Sequence, residues 1–197
     1  MIFKKNYPTE LIKKMAQFMM DDLNNQKKSQ KEHFAIHAGK ELKCNPEINT
    51  LENLYTIMRW KSHRRADLIK LADKENTILL LKKALSANQA SDAIDVLRRI
   101  PGVGVPMASA IMTMIDPERY TVIDVRALKS LGDNKKRQIS AKFYQKYLDF
   151  CIQYVEEIDF PPSDDATNLR LLDKALFFAK GESIDEIEKR LERSSIC

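Results

Sequence analysis

The chain has 197 residues, 44% of them hydrophobic, with five glycines and seven prolines. That is length enough for one large domain or two interleaved lobes, and no internal repeat or low-complexity tract interrupts it. Lys and Arg total 33 against 28 Asp and Glu, a net charge of +5 with a pI near 9.0; this balance permits nucleic-acid binding without establishing it.

Alternating strand patterns are scarce, and apolar residues recur at helical spacing, so an all-α fold is expected. Residues 9–23 read as a helix with Leu11, Ile12, Met15, Phe18 and Met19 inward. Residues 24–31 are polar and read as a loop, and 31–42 as a weak helix. Residues 51–60, 64–71 and 75–87 are further helices. Residues 90–100 carry Ala93, Ile94, Leu97 and Ile100 on one face, and 106–115 follow as the next helix. Residues 139–157 form a long amphipathic helix with Phe143, Tyr147, Phe150 and Tyr154 as its core stripe, leaving Tyr144 to reach solvent. Phe160-Pro161-Pro162-Ser163 marks a break. Residues 166–180 form a helix closed by Gly181, and Ser183 with Glu186 reads as a capping box opening the last helix.

Between two of these helices lies Ile100-Pro101-Gly102-Val103-Gly104. Pro101 ends the first helix, because its nitrogen carries no proton and its ring restricts the preceding residue. Gly102 and Gly104 allow positive φ and close approach of another backbone. Pro106 suits the first turn of the following helix. The amides of Gly102, Val103 and Gly104 are therefore expected to point outward at a helix N-terminus, an array that binds an anion; the plainer alternative is an ordinary two-helix corner. Neither a dinucleotide fingerprint nor a P-loop fits. Met107 stands where a third glycine would be needed, and no Gly-Lys-Ser/Thr follows.

Asp124 follows the hairpin by about twenty residues, directly before the helical run beginning at Val125. Aspartate is a favoured N-cap, and a carboxylate so placed can also do chemistry. Basic residues flank this region. Trp60-Lys61-Ser62-His63-Arg64-Arg65 precedes it, Arg98 and Arg99 adjoin the hairpin, and Lys135-Lys136-Arg137 follows the aspartate helix. Lys61, Arg64, Arg65, Arg98, Arg99 and Arg126 are candidate phosphate contacts. Trp60 ends an apolar stripe of Leu51, Leu54, Tyr55 and Met58, which is a core pattern; its other reading is a base pocket or wedge, since aromatic faces stack on bases.

Hairpin and spaced aspartate together resemble the helix-hairpin-helix signature of the endonuclease III-like DNA glycosylase superfamily, over about 35 residues from Leu97 to Leu131. The resemblance implies a two-lobed helical bundle with DNA between the lobes. Residues 1–45 would pack with a C-terminal lobe of 124–197, and 46–123 would form a helical barrel containing the hairpin. It implies excision of a damaged, mispaired or modified base from double-stranded DNA, with Asp124 catalytic and Gly102, Val103 and Gly104 gripping the backbone. It also implies a monovalent cation, K+ or Na+, on the backbone carbonyls of Arg98, Ile100 and Val103. Where bifunctional members carry a lysine this chain has Pro106, which cannot form a Schiff base, so hydrolysis by water is expected rather than a lyase reaction. Lys61, Lys129 and Lys174 are other amines, and spacing selects none of them. Many members carry a histidine-containing continuation after the aspartate; here it is Val125-Arg126-Ala127-Leu128.

Three functions remain: a monofunctional glycosylase, a non-catalytic helix-hairpin-helix DNA-binding protein in which Asp124 only caps, and a helical interaction domain in which the hairpin is a corner. No cofactor is required by the first. Cys44, Cys151 and Cys197 are isolated and cannot supply an iron-sulfur cluster or a disulfide framework. His33 and His37 share an i, i+4 spacing and read as surface histidines rather than a zinc pair. The N-terminal residues lack an apolar signal core and no stretch approaches membrane-span length, so a monomeric cytoplasmic protein is expected.

Overall fold

The structure, a computed structural model, describes residues 2–24, 27–135, 138–163 and 166–194. Eleven α-helices and a 3-10 turn make up the described residues, with no strand among them. The helices are α1 (Thr9–Asn24), α2 (Lys27–Cys44), α3 (Thr50–Lys61), α4 (His63–Ala66), α5 (Lys74–Leu85), α6 (Ala90–Leu97), α7 (Val105–Ile115), α8 (Val125–Ser130), α9 (Ala141–Glu156), α10 (Asn168–Ala179) and α11 (Ile184–Ser194); the 3-10 turn Asp67–Leu71 follows α4. The polar stretch expected as a loop at 24–31 is mostly helix, because α2 begins at Lys27. Its charged residues hid a periodicity whose buried members are small: Ala35, Ala38 and Gly39, followed by Leu42.

The chain separates into two compact units, one of Met1–Gln26, Asp124–Arg137 and Asp149–Cys197, the other of Lys27–Ile123 and Gln138–Leu148. Thus α2 groups with the middle of the chain, where the resemblance implies a division near residue 45. The reason is local: α2 packs on α3 and α7, and Gly39 lies so close to α7 that a Cβ there would stand 2.0 Å from the Met114 carbonyl oxygen. Helix α7 is buried on nearly every side, from Val105 through Ile115 apart from Pro106. That is what an all-round apolar helix requires.

In the other unit α1 packs on α10, and α10 on α8. Ile12 and Met15 of α1 and Leu172 and Leu176 of α10 are fully buried, and the Phe18 and Phe178 rings lie 5.1 Å apart. Ser183 and Glu186 form the expected capping box, Ser183 N–H donating to Glu186 Oε2 at 2.8 Å. Ser130 joins three elements of this unit: its hydroxyl donates to the Leu176 carbonyl at 2.7 Å and accepts from Gly181 N–H at 3.0 Å.

Two tyrosines tie the N-terminal segment into this unit. Tyr154 donates to the Tyr7 carbonyl at 3.2 Å, and Tyr7 to the Glu182 carbonyl at 2.9 Å. Burial pushes the Tyr154 phenol up to about 12, with Glu157 adding to the rise. The neutral phenol is thereby favoured in the folded chain, while in the unfolded chain it ionises near 10. Stability is complete below that pH and falls as pH rises towards 12, by about 2–3 kcal/mol from this residue. Urea unfolding at a series of alkaline pH values should show the decline, and Tyr154→Phe should reduce it, leaving the part due to the buried Tyr7 and Tyr120 phenols.

Candidate nucleic-acid interface

The hairpin joins α6 to α7. Ile100 N–H donates to the Leu97 carbonyl at 3.0 Å and Val103 N–H to the Ile100 carbonyl at 3.1 Å. Gly102 adopts φ +82°, a conformation that L side chains rarely take. Gly104 is the N-cap of α7, with φ −93° and ψ 177°. Of the three amides expected to face outward, that of Val103 is spent within the turn. Those of Gly102 and Gly104 have no acceptor among the described residues.

The two glycines serve different needs. A Cβ on Gly102 would lie 2.8 Å from Leu68 Cβ and 3.0 Å from the Arg65 carbonyl oxygen, so the hairpin is seated against α4 and the 3-10 turn. A Cβ on Gly104 would meet nothing within 4 Å. Gly102→Ala should therefore destabilise the fold by about 2–4 kcal/mol, from the left-handed backbone and the crowding together. Gly104→Ala should leave stability unchanged or raise it by about 0.4–1 kcal/mol, while weakening DNA binding by obstructing approach to its amide. Denaturant melts beside duplex titrations separate the two.

The contact behind Gly102 brings Arg65, the end of the basic run 61–65, beside the hairpin through its carbonyl. His63, Arg64 and Arg65 are exposed and Lys61 half-buried. Arg99 is exposed, with no ion pair among the described residues, whereas Arg98 pairs with Asp95 at 2.9 Å. The Arg98 charge is thus partly spent before any phosphate arrives. Lys135 is exposed; Lys136 and Arg137 lie outside the described residues.

The carbonyls proposed to hold a monovalent cation can be tested for fit. That of Ile100 accepts from Val103 N–H, and those of Arg98 and Val103 accept no hydrogen bond among the described residues. Two unsatisfied carbonyls and one with a spare lone pair suit such an ion. Among the described residues no group of three or more His, Cys, Asp or Glu side chains could hold a metal.

Asp124 is the N-cap of α8, its Oδ1 accepting from Arg126 N–H at 2.8 Å. The chain arriving at Asp124 is extended and held by three buried side chains. Ile123 N–H donates to Ser109 Oγ at 3.1 Å, Tyr144 hydroxyl to the Thr121 carbonyl at 2.9 Å, and Tyr147 hydroxyl to the Val122 carbonyl at 3.2 Å. Tyr144, expected to reach solvent, is 0% exposed for this reason: its hydroxyl satisfies a carbonyl that no helix or sheet can serve. These positioning residues went unrecognised. The available signal was a serine inside the apolar run 105–115. Arg126 is exposed and stacks its guanidinium 4.7 Å from the Phe177 ring centroid, which leaves its edge for an anion.

Trp60 is half-buried rather than a core side chain. It lines a groove between α2 and α3 together with Phe34, Tyr55 and Arg59. Among the described residues no helix is long and apolar enough to cross a membrane. No protein-family model, curated protein or solved structure shows a match to this chain.

Proposed function

We propose that this protein is a monofunctional DNA glycosylase of the helix-hairpin-helix type, hydrolysing the N-glycosidic bond of a damaged, mispaired or modified base. The observation that carries the reading is the hairpin itself. Two unsatisfied amides stand at the N-terminus of the eleven-residue α7, one of them at an open glycine, with exposed Arg99 nearby in sequence and exposed Arg65 meeting the hairpin through its carbonyl. A phosphate satisfies such amides and meets the positive end of the helix dipole. Asp124 then supplies the carboxylate, from the N-cap of α8. Near the sugar it would stabilise a developing oxocarbenium ion and orient water, contributions that a preorganised low-dielectric site strengthens. Extracting the base costs a few kcal/mol, least where it is damaged or mispaired. Pro106, in the first turn of α7, offers no amine for a lyase step.

The N-cap bond from Arg126 N–H to Asp124 favours a second reading, in which the carboxylate only caps α8 and the protein binds DNA without cleaving it. An assay on duplex and single-stranded oligonucleotides carrying a panel of damaged, mispaired and modified bases decides between them. Alkali-dependent strand cleavage is the expected result. Salt-sensitive binding with no cleavage on any base would favour the second reading, and cleavage without alkali would overturn the monofunctional assignment.

A further inference from the structure

Helices α2 and α3 leave between them a groove of about 580 Å³, lined by Lys31, Phe34, His37, Tyr55, Arg59 and Trp60 among others. Its volume falls within the ~300–1,000 Å³ range of ligand sites. We propose that this groove binds unpaired DNA, holding bases against its aromatic wall and backbone phosphate against Lys31 and Arg59. The proposal goes beyond base excision, since it involves neither Asp124 nor the hairpin glycines.

Three features of the groove point to this occupant. Its large apolar groups are rings, not the leucines and valines that would receive a partner helix. Phe34 is 59% exposed, so a flat face is left open to solvent where burial would otherwise be favoured. Rings of this kind stack on any base whose face is free, and bases in a duplex offer none. The rim is cationic. Lys31 and Arg59 are exposed, while the Lys70 ammonium, 5.7 Å from the Tyr55 ring centroid, is paired with Asp67 at 2.6 Å. Two nearby carboxylates are already engaged: Glu41 accepts from Asn53 Nδ2 at 2.9 Å and lies 3.5 Å from His37 Nδ1, and Asp67 is held by Lys70. A phosphate entering the groove thus meets positive charge with the neighbouring negative charge turned to other partners.

Trp60 is the only tryptophan of the chain, so its fluorescence reports directly on the groove. The full-length protein is titrated with an oligothymidylate of about ten nucleotides, a site size ordinary for such grooves. Saturable quenching is expected, with affinity falling about sevenfold for a fourfold rise in salt if two phosphates are neutralised. Phe34→Ala should weaken binding by about fivefold or more, and Arg59→Ala should roughly halve the salt slope; both positions are exposed, and circular dichroism checks that each variant is folded. Absence of quenching, quenching unchanged in folded Phe34→Ala, equal quenching by a blunt duplex, or tighter binding of an oligouridylate would each overturn the proposal. The same titration on Asp124→Asn should be unaltered, so failure of base excision and failure of the groove are told apart.

Discussion

Asp124→Asn should reduce base excision by about 10²–10⁴-fold while leaving both duplex affinity and folding stability nearly untouched. The substitution discriminates because asparagine caps a helix about as well as aspartate. Oδ1 of the native side chain accepts from Arg126 N–H, and an asparagine carbonyl oxygen can do the same. What is lost is the negative charge, and with it any stabilisation of a cationic transition state. Asp124→Ala should remove charge and cap together, adding a stability loss of about 1 kcal/mol. Single-turnover excision on the preferred base, measured beside a denaturant melt, checks both. A large stability loss in Asp124→Asn, with excision unchanged, would reduce the carboxylate to a structural role and sink the catalytic assignment.

Gly39→Ala should be among the most destabilising single changes in the chain. Alanine is the better helix former by about 1 kcal/mol, so propensity alone predicts a gain. The structure predicts the reverse. The new Cβ would stand 2.0 Å from the Met114 carbonyl oxygen and 2.3 Å from its carbonyl carbon, and neither is the flexible end of a side chain. Helix α2 must move off α7, opening a layer that includes fully buried Ala35, Ile111 and Leu42. Overpacking of this kind costs typically about 1–3 kcal/mol and more where backbone must shift; a net loss of about 3 kcal/mol is expected. Thermal and urea melts should show it, with Gly104→Ala as the harmless control.

Much of the helical order was legible because the spacing of large apolar residues is strong in α1, α6, α7 and α9. Caps were legible for the same local reason: Asp124 and Ser183 each sit one residue ahead of a helical run, and each accepts from a backbone N–H in the structure; Thr167, which falls inside the helix expected over 166–180, caps α10 instead. The start of α2 was not legible, since its burial rests on alanine and glycine, and small residues carry little periodic signal. The spacing over 64–71 predicts one helix, yet the chain tightens after Ala66 into a 3-10 turn, a change of pitch that composition does not encode. In the candidate site, the glycines, prolines and Asp124 could be recognised from local chemistry alone. Ser109, Tyr144 and Tyr147 could not, because each serves a backbone group at least 14 residues away in sequence. A core stripe and a polar anchor look the same before the fold is known. Trp60 shows the converse: its helical spacing resembles a core position, yet it is half-buried and lines a groove beside Phe34 and Tyr55.

The pairing of α1 with α10 governs the order in which this chain can acquire its structure. Helix α1 ends at Asn24 and its partner begins at Asn168, so during synthesis the apolar face of Ile12 and Met15 has emerged long before anything exists to cover it. The segment Lys27–Ile123 supplies most of its own unit and can condense early, whereas the unit holding Asp124 must await α10. Closing so long a loop is entropically slow, and partly formed chains expose sticky surface meanwhile. Fragments ending before α10 should accordingly aggregate through α1. The carboxylate assigned to the chemistry belongs to a unit that cannot close until α10 has been made.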